Sequence, residues 1–243
     1  MAGIYFISDI HLGLQDDQSE QRKLDKVGQL FSIIKSEGGS LYMLGDIFDY
    51  WLEFRHLIPK GFTKFLCLLS DLVCHNIEVV YVAGNHDFFL GRYFDDELGI
   101  KTRYGLHELN LDGCRFILAH GDGLGSGDIG YKVFSRVVRN RVNLALLGRF
   151  HPDLAIGLLK WLSQLSRTHK PVNIPQERDR LLKFAELLVT ERDFDYFICG
   201  HNHVKGSFEL SDGSSRYVNL GTWIDGGSPY AVYGSGVVQL REV

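Results

Sequence analysis

Short apolar runs alternate along this chain with longer stretches in which apolar residues recur every three or four positions. Five of the short runs are followed at once by residues able to bind metal. They are Ile4–Ser8 before Asp9 and His11, Leu41–Gly45 before Asp46, and Val79–Gly84 before Asn85, His86 and Asp87. Phe116–Ala119 before His120 and Tyr196–Gly200 before His201 and His203 complete the set. Their length and their β-branched and aromatic content predict buried strands. The carboxyl ends of such strands are where α/β sheets carry their sites.

The longer stretches predict helices. Gln21 to Glu37 places Leu24, Val27, Leu30, Phe31 and Ile34 on one face, and Gly38-Gly39 ends it. Phe62 to His75 reads as a second helix, less amphipathic and therefore more buried. Strand and helix alternate in this way to about residue 122, which predicts an α/β fold. Beyond Asp122 the pattern changes. Gly123–Gly127 is a flexible loop, and Tyr131 to Lys170 reads as two or three helices without strands. Pro152 suits a first helical turn, and Leu154, Leu158, Trp161, Leu162 and Leu165 follow as an apolar stripe. Pro171–Pro175 is a linker, and Gln176 to Arg192 is an amphipathic helix returning to a core strand. The expectation is one domain over residues 1–243, with residues 123–172 as a helical insert.

Composition narrows the picture. A chain of 243 residues with 45% hydrophobic content can bury a full core. The first apolar run is too short for a secretory leader, and no run reaches the ~18 apolar residues of a membrane span. A net charge of −4 gives no reason to expect nucleic acid as a partner. From Tyr131 to Lys170, eight basic residues face the single acid Asp153, a charge of about +7 in an otherwise acidic chain. Most such faces are simply solvated. Basic and apolar residues combined beside a site also suit an anionic, lipid-like ligand or a membrane surface. Cys67, Cys74 and Cys199 lie in apolar runs and read as buried, reduced thiols of a cytosolic protein.

The polar residues carry the chemistry. Alternation along a strand points Asp9 and His11 the same way, and His201 and His203 converge if the chain stays extended. Mixed Asp, Asn and His donors suit Mn²⁺, Fe or Zn²⁺ better than Mg²⁺ or Ca²⁺. A carboxylate such as Asp46 can join two ions, which at about 3.5–4 Å apart clamp a phosphoryl group. Taken singly the pieces are bland: Asp-x-His is usually accidental, and a lone His on an apolar strand is usually core. The joint pattern is specific.

Asp9-Ile10-His11, Gly45-Asp46, Gly84-Asn85-His86-Asp87, His120-Gly121-Asp122 and Gly200-His201-Asn202-His203 resemble the five ordered motifs of the calcineurin-like metallophosphoesterases. The resemblance implies a four-layer α/β sandwich, two mixed β-sheets flanked by helices. It implies two divalent metal ions, commonly Mn²⁺, Fe or Zn²⁺. Asp9, His11, Asp46 and His203 would hold one, and Asp46, Asn85, His120 and His201 the other. His86 matches the histidine that contacts the phosphate or protonates the leaving group. Asp46–Trp51, the stretch from His120 through Asp128 and Tyr131, the helical insert and Tyr217–Trp223 are similar to the UDP-2,3-diacylglucosamine hydrolases, the pyrophosphatases of lipid A synthesis. That likeness makes the helical insert, residues 123–172, a lid, and implies substrate contacts at Asp122, Asp128, Tyr131, Ser166 and Lys170. It also implies a cytoplasmic enzyme, peripheral on the inner face of the membrane. The best-known enzymes of that group have Arg at the His86 position, and their lid serine is followed by Asn and then Lys, where Ser166 here is followed by Lys170 and Asn173.

Three readings follow. The first is a hydrolase that cleaves the pyrophosphate of a UDP-linked glycolipid. The second keeps the chemistry with a soluble nucleotide or phosphate ester, which His86 favours but a roughly forty-residue apolar insert does not. The third is a non-catalytic scaffold, which should have lost ligands.

Overall fold

All five runs fold as strands in the computed structural model, which describes residues 3–111, 113–125, 150–168, 174–224 and 226–243. They are β1 (Gly3–Ile7), β2 (Gly39–Leu44), β4 (Glu78–Val82), β8 (Cys114–Leu118) and β9 (Tyr196–Cys199). Around them lie β3 (Trp51–Leu52), β5 (Asp87–Phe89), β6 (Lys101–Arg103), β7 (His107–Leu111), β10 (Gly206–Glu209), β11 (Arg216–Asn219), β12 (Pro229–Gly234) and β13 (Val237–Glu242). The described helices are α1 (Asp17–Glu37), α2 (Thr63–Cys74), α3 (Tyr93–Asp96), α4 (Pro152–Thr168) and α5 (Ile174–Glu191).

One sheet has the order β13-β12-β1-β2-β4-β6 and a second β10-β11-β9-β8-β7. Both are mixed. β1, β2, β4 and β6 run parallel, as do β8, β9 and β11. The register Ile7–Met43–Tyr81 brings the ends of β1, β2 and β4 level. Leu118 beside Ile198 does the same for β8 and β9.

Strand alternation divides the core into layers. Ile4, Phe6, Tyr42, Leu44, Val80 and Val82 face Phe116, Leu118, Tyr196 and Ile198 between the sheets. The intervening Tyr5, Ile7, Leu41, Met43, Val79 and Tyr81 pack outward against α1 and α2. On the far side Ile117, Ala119, Phe197 and Tyr217 pack against Leu181, Ala185 and Leu188 of α5. Helices, sheet, sheet and helix make four layers, as the resemblance implied. A two-stranded ribbon, β3 with β5, stands outside both sheets.

Three expectations need correction. Helix α1 starts at Asp17 rather than Gln21, because Asp16 caps it by accepting the Ser19 N–H at 3.0 Å. Its first turns are mostly solvent-facing, so apolar periodicity misses them. Helix α2 is not buried all round: Phe65, Leu66, Leu69 and Leu72 face the core, while Cys67 and Cys74 are exposed. Only Cys199 of the three expected buried thiols is buried, and all four cysteines are free.

Within the insert, α4 begins at Pro152 as expected. It rests on the body through Ala155 and Leu159, both buried in the α1/α2 core. Lys160 places its ammonium 4.7 Å from the centroid of the Tyr50 ring. The described part of the stripe expected from the sequence faces away: Leu154, Leu158 and Trp161 are 68%, 45% and 56% exposed, while the side chains of Leu162 and Leu165 lie outside the described residues. The expected contacts Asp128, Tyr131 and Lys170 lie outside the described residues, as does the side chain of Ser166.

Candidate metal centre

Every candidate ligand sits just past the end of a strand. The chain does not stay extended there. Asp9, His11, Asp46, His201 and His203 all have positive φ, between 48° and 72°. This left-handed backbone is uncommon for residues with a Cβ and marks sites held by their surroundings. Asp9 and His11 therefore converge through two tight turns rather than through strand pleat. The expected convergence of His201 and His203 fails for the same reason. His201 Nδ1 lies 2.8 Å from Asn85 Oδ1, whereas His203 Nε2 lies 3.2 Å from Asp9 Oδ1.

Backbone contacts hold these turns. The Asp9 and His11 N–H groups donate to the carbonyls of Gly45 and Asp46. The Asp9 carbonyl accepts from the Trp223 N–H and the Thr222 hydroxyl, both at 3.1 Å. Buried Lys23 donates to the His11 carbonyl at 3.1 Å. Close approach demands glycine at two points. A Cβ on Gly45 would lie 2.6 Å from His120 Nδ1, and one on Gly84 2.3 Å from Asp46 Oδ1.

Three groups of ligand atoms lie within 4.8 Å among the described residues: one is His11, Asp46 and His86, and the two built only from expected ligands are Asp9, His11 and His203, and Asp46, His120 and His201. Asp46 joins them. Its Oδ2 is 3.2 Å from His120 Nε2 and 3.8 Å from His11 Nε2. Its Oδ1 is occupied by the His86 N–H at 2.8 Å. Asn85 Oδ1 faces His120 Nε2 at 3.0 Å and His201 Nδ1 at 2.8 Å. All seven expected ligands are thus brought together.

The electrostatics suit cations. His120 Nδ1 lies 2.9 Å from the Leu44 carbonyl, which can only accept, so Nδ1 carries the proton. Nε2 faces two further acceptors, Asp46 Oδ2 and Asn85 Oδ1, which calls for a second ring proton in the metal-free protein or a metal ion in its place. Such an arrangement needs a positive charge at its centre. Burial alone would lower the His120 imidazolium pKa, but the Asp46 carboxylate, with Asp9 and Asp122 behind it, outweighs burial and pushes it up to about 10. Burial and the neighbouring His120 hold His201 down at about 4. Burial holds His11 well below its ordinary value, and its Nδ1 has no hydrogen-bond partner among the described residues. Burial opposes ionisation of Asp46, yet His120 and His86 hold its carboxyl well below the usual range. Neutral imidazoles and ionised carboxylates are the states in which these side chains bind metal.

His86 is buried beside this set. Its Nδ1 lies 2.7 Å from the Asp49 carbonyl, which makes Nδ1 the donor and leaves Nε2 facing Asp46 Oδ2 at 3.9 Å. Asp122, partly buried, is close enough to act on the charge of both His120 and His201. Sequence reasoning gave no role to Asp49, Lys23 or Thr222 and counted Asp87 only among residues able to bind metal; all four brace the site. Asp87 was visible beside Asn85 and His86, but nothing in its spacing showed that it points beneath Asp46. Burial pushes its carboxyl up to about 6, helped by the Asp46 charge.

Paired sheets carrying Asp, Asn and His at level strand ends define a metal-dependent hydrolase. The family model for calcineurin-like phosphoesterases matches residues 3–205, and the chain belongs to that family. Its members use divalent metal ions, and the donor set described above fits them. The chain is 33% identical to a UDP-2,3-diacylglucosamine hydrolase of Porphyromonas gingivalis, over 99% of this chain and 97% of that one. It is 30% identical to the enzyme of that name from Neisseria meningitidis serogroup B, covering 92% and 90%. The Haemophilus ducreyi enzyme is 28% identical, with 92% of each chain covered. Among solved structures, an archaeal phosphodiesterase matches with a TM-score of 0.50 over 99% of both chains at 13% identity, a likeness of fold.

Proposed function

We propose that this protein cleaves the pyrophosphate of UDP-2,3-diacylglucosamine, giving UMP and 2,3-diacylglucosamine 1-phosphate. The observation that carries the chemistry is the single oxygen, Asp46 Oδ2, directed at both ligand groups. Asp9, His11, Asp46 and His203 would hold one ion, and Asp46, Asn85, His120 and His201 the other, with Mn²⁺ the favoured metal and Fe or Zn²⁺ compatible with the same donors. Two such ions, when bound, would supply Lewis-acid charge to the phosphoryl oxygens and a nucleophilic water at neutral pH. The side chains do the rest. The Asp49 carbonyl holds the Nδ1–H of His86, so Nε2 is the nitrogen left for the phosphate; with a proton taken up at Nε2, the imidazolium would stabilise charge there or give that proton to the departing oxygen.

The substrate assignment rests on the named relatives and on the exposed ridge of Leu154, Leu158 and Trp161. That ridge, beside Lys160 on Tyr50, suits acyl chains or the surface of a membrane. Among the described residues no helix is long and apolar enough to cross a membrane. The reading keeps membrane contact peripheral, through this ridge, on the inner face. The test compares hydrolysis of the diacylated substrate with that of its deacylated UDP-sugar in detergent with Mn²⁺. A strong preference for the acylated form supports the proposal. Equal rates would replace it with the second reading, a phosphodiesterase of soluble nucleotides, which His86 at the position of the group's Arg favours.

A further inference from the structure

The metal-binding scheme leaves Asp87 without a task, although it is fully buried at the centre of the site. Its side chain turns beneath the two loops that carry Asp46 and Asn85. Asp87 Oδ2 accepts the Asp46 N–H at 3.0 Å and the Gly84 N–H at 2.8 Å. Asp87 Oδ1 accepts the hydroxyl of Tyr81 at 2.6 Å, and Tyr81 is itself fully buried in β4. One carboxylate thus ties the end of β2 to the end of β4.

The tie is reciprocated. The His86 N–H, next to Asp87 in the chain, donates to Asp46 Oδ1. The two aspartates therefore brace each other's loops, each through a carboxylate oxygen to backbone N–H. The consequence falls on Asp46. Its φ of 53° is an uncommon conformation, so its N–H needs a fixed acceptor to hold the turn. With the N–H held by Asp87 and Oδ1 held by His86, only Oδ2 is free to turn toward His11 and His120.

We infer that Asp87 is a positioning residue: braced by Tyr81, it fixes the backbone of Asp46 so that a single oxygen is presented to both metal positions. This rests on the proposed sharing of Asp46 between two ions. Outer residues that orient ligands in this way typically change metal affinity or activity by about 10–100-fold when removed.

The test uses Asp87→Ala, Asp87→Asn and Tyr81→Phe in the full chain, with Asp46→Asn as control. Mn²⁺ affinity at each position is measured by calorimetry, alongside kcat and KM for bis-p-nitrophenyl phosphate. Asn keeps an oxygen for the two N–H groups and can donate to the Tyr81 oxygen, so Asp87→Asn should stay within about tenfold of the parent. Asp87→Ala should weaken Mn²⁺ binding and lower kcat by about 10–100-fold, with KM little changed. Should the alanine variant fail to fold, Tyr81→Phe carries the test. It frees one carboxylate oxygen and should weaken Mn²⁺ binding by several-fold, about 3–10. Parental affinity and kcat in both Asp87→Ala and Tyr81→Phe, or in Tyr81→Phe alone if the alanine variant does not fold, would overturn the inference. So would a loss of melting temperature with parental Mn²⁺ affinity and parental kcat at saturating metal, which marks a purely structural role. If Asp46→Asn itself retains both metals and full turnover, the shared-oxygen scheme fails first, and that result is distinct from an effect confined to Asp87.

Discussion

His201 and His203 stand two residues apart yet serve opposite halves of the site, the first beside Asn85 and His120, the second beside Asp9 and His11. The left-handed turn at each residue produces this split. His201→Ala and His203→Ala should therefore each lose one metal, and a different one. Metal counts after dialysis should fall from two toward one in either variant. If both variants lose both ions together, the two halves are not separable.

Protons and metals compete for His120. With its pKa raised to about 10, the imidazole of the metal-free protein is protonated at neutral pH. Metal binding must expel that proton. Affinity at this position should rise by roughly tenfold per pH unit between about 7 and 9, and calorimetry in buffers of differing ionisation heat should report about one proton released. For the metal-free fold the sign is opposite. A raised histidine pKa stabilises the folded state fully below its ordinary 6.5, and that contribution is lost as pH rises toward 10. Metal affinity independent of pH in this range would contradict the protonation state assigned to His120.

His86 is the residue whose role is easiest to mistake. Its Nε2 lies within ligand distance of His11 and Asp46, and they form a third cluster. Its Nε2 is 3.9 Å from Asp46 Oδ2, about as far as the expected ligand His11 at 3.8 Å, so the phosphate-facing role rests on the family resemblance rather than on distance. His86→Ala should lower kcat by about 10²–10⁴-fold and leave two metals bound. Loss of a metal instead would make it a ligand.

The loop after Asp46 is held by aromatic packing. Phe48 is fully buried, with ring centroids at 4.6 Å from Trp51, 4.7 Å from Phe62 and 5.5 Å from Phe65. Phe48→Ala should cost about 3–5 kcal/mol of stability, read from denaturant unfolding. A cost under about 1 kcal/mol would mean the cluster repacks without it.

Much of this was legible in the sequence, for identifiable reasons. The five strands were readable because parallel strands buried on both faces are nearly all apolar, and Tyr196–Cys199 is an example. The ligands were readable because they follow those strands directly. The directions of their side chains were not. Strand alternation describes Ile4 to Ile7 well, but Asp9 and His11 lie beyond the strand, in turns set by Gly45, Asp46, Lys23 and Trp223 from elsewhere in the chain. Exposed Cys67 was missed for a related reason: in α2 apolar residues occupy both faces, and only the tertiary packing of Phe65 and Leu69 decides which is inside. Helix α4 shows the reverse. Its apolar stripe was plain, but its seating through small Ala155 and single Leu159 was not.

Everything in the account converges on Asp46, so the most direct measurement is the metal content and turnover of Asp46→Asn. The amide lacks the negative charge that lets one oxygen serve two cations. Bound metal should fall below two per chain, and hydrolysis of bis-p-nitrophenyl phosphate with Mn²⁺ should drop several hundred-fold, about 4 kcal/mol of barrier. Two metals retained with turnover near that of the parent would contradict the shared-oxygen site.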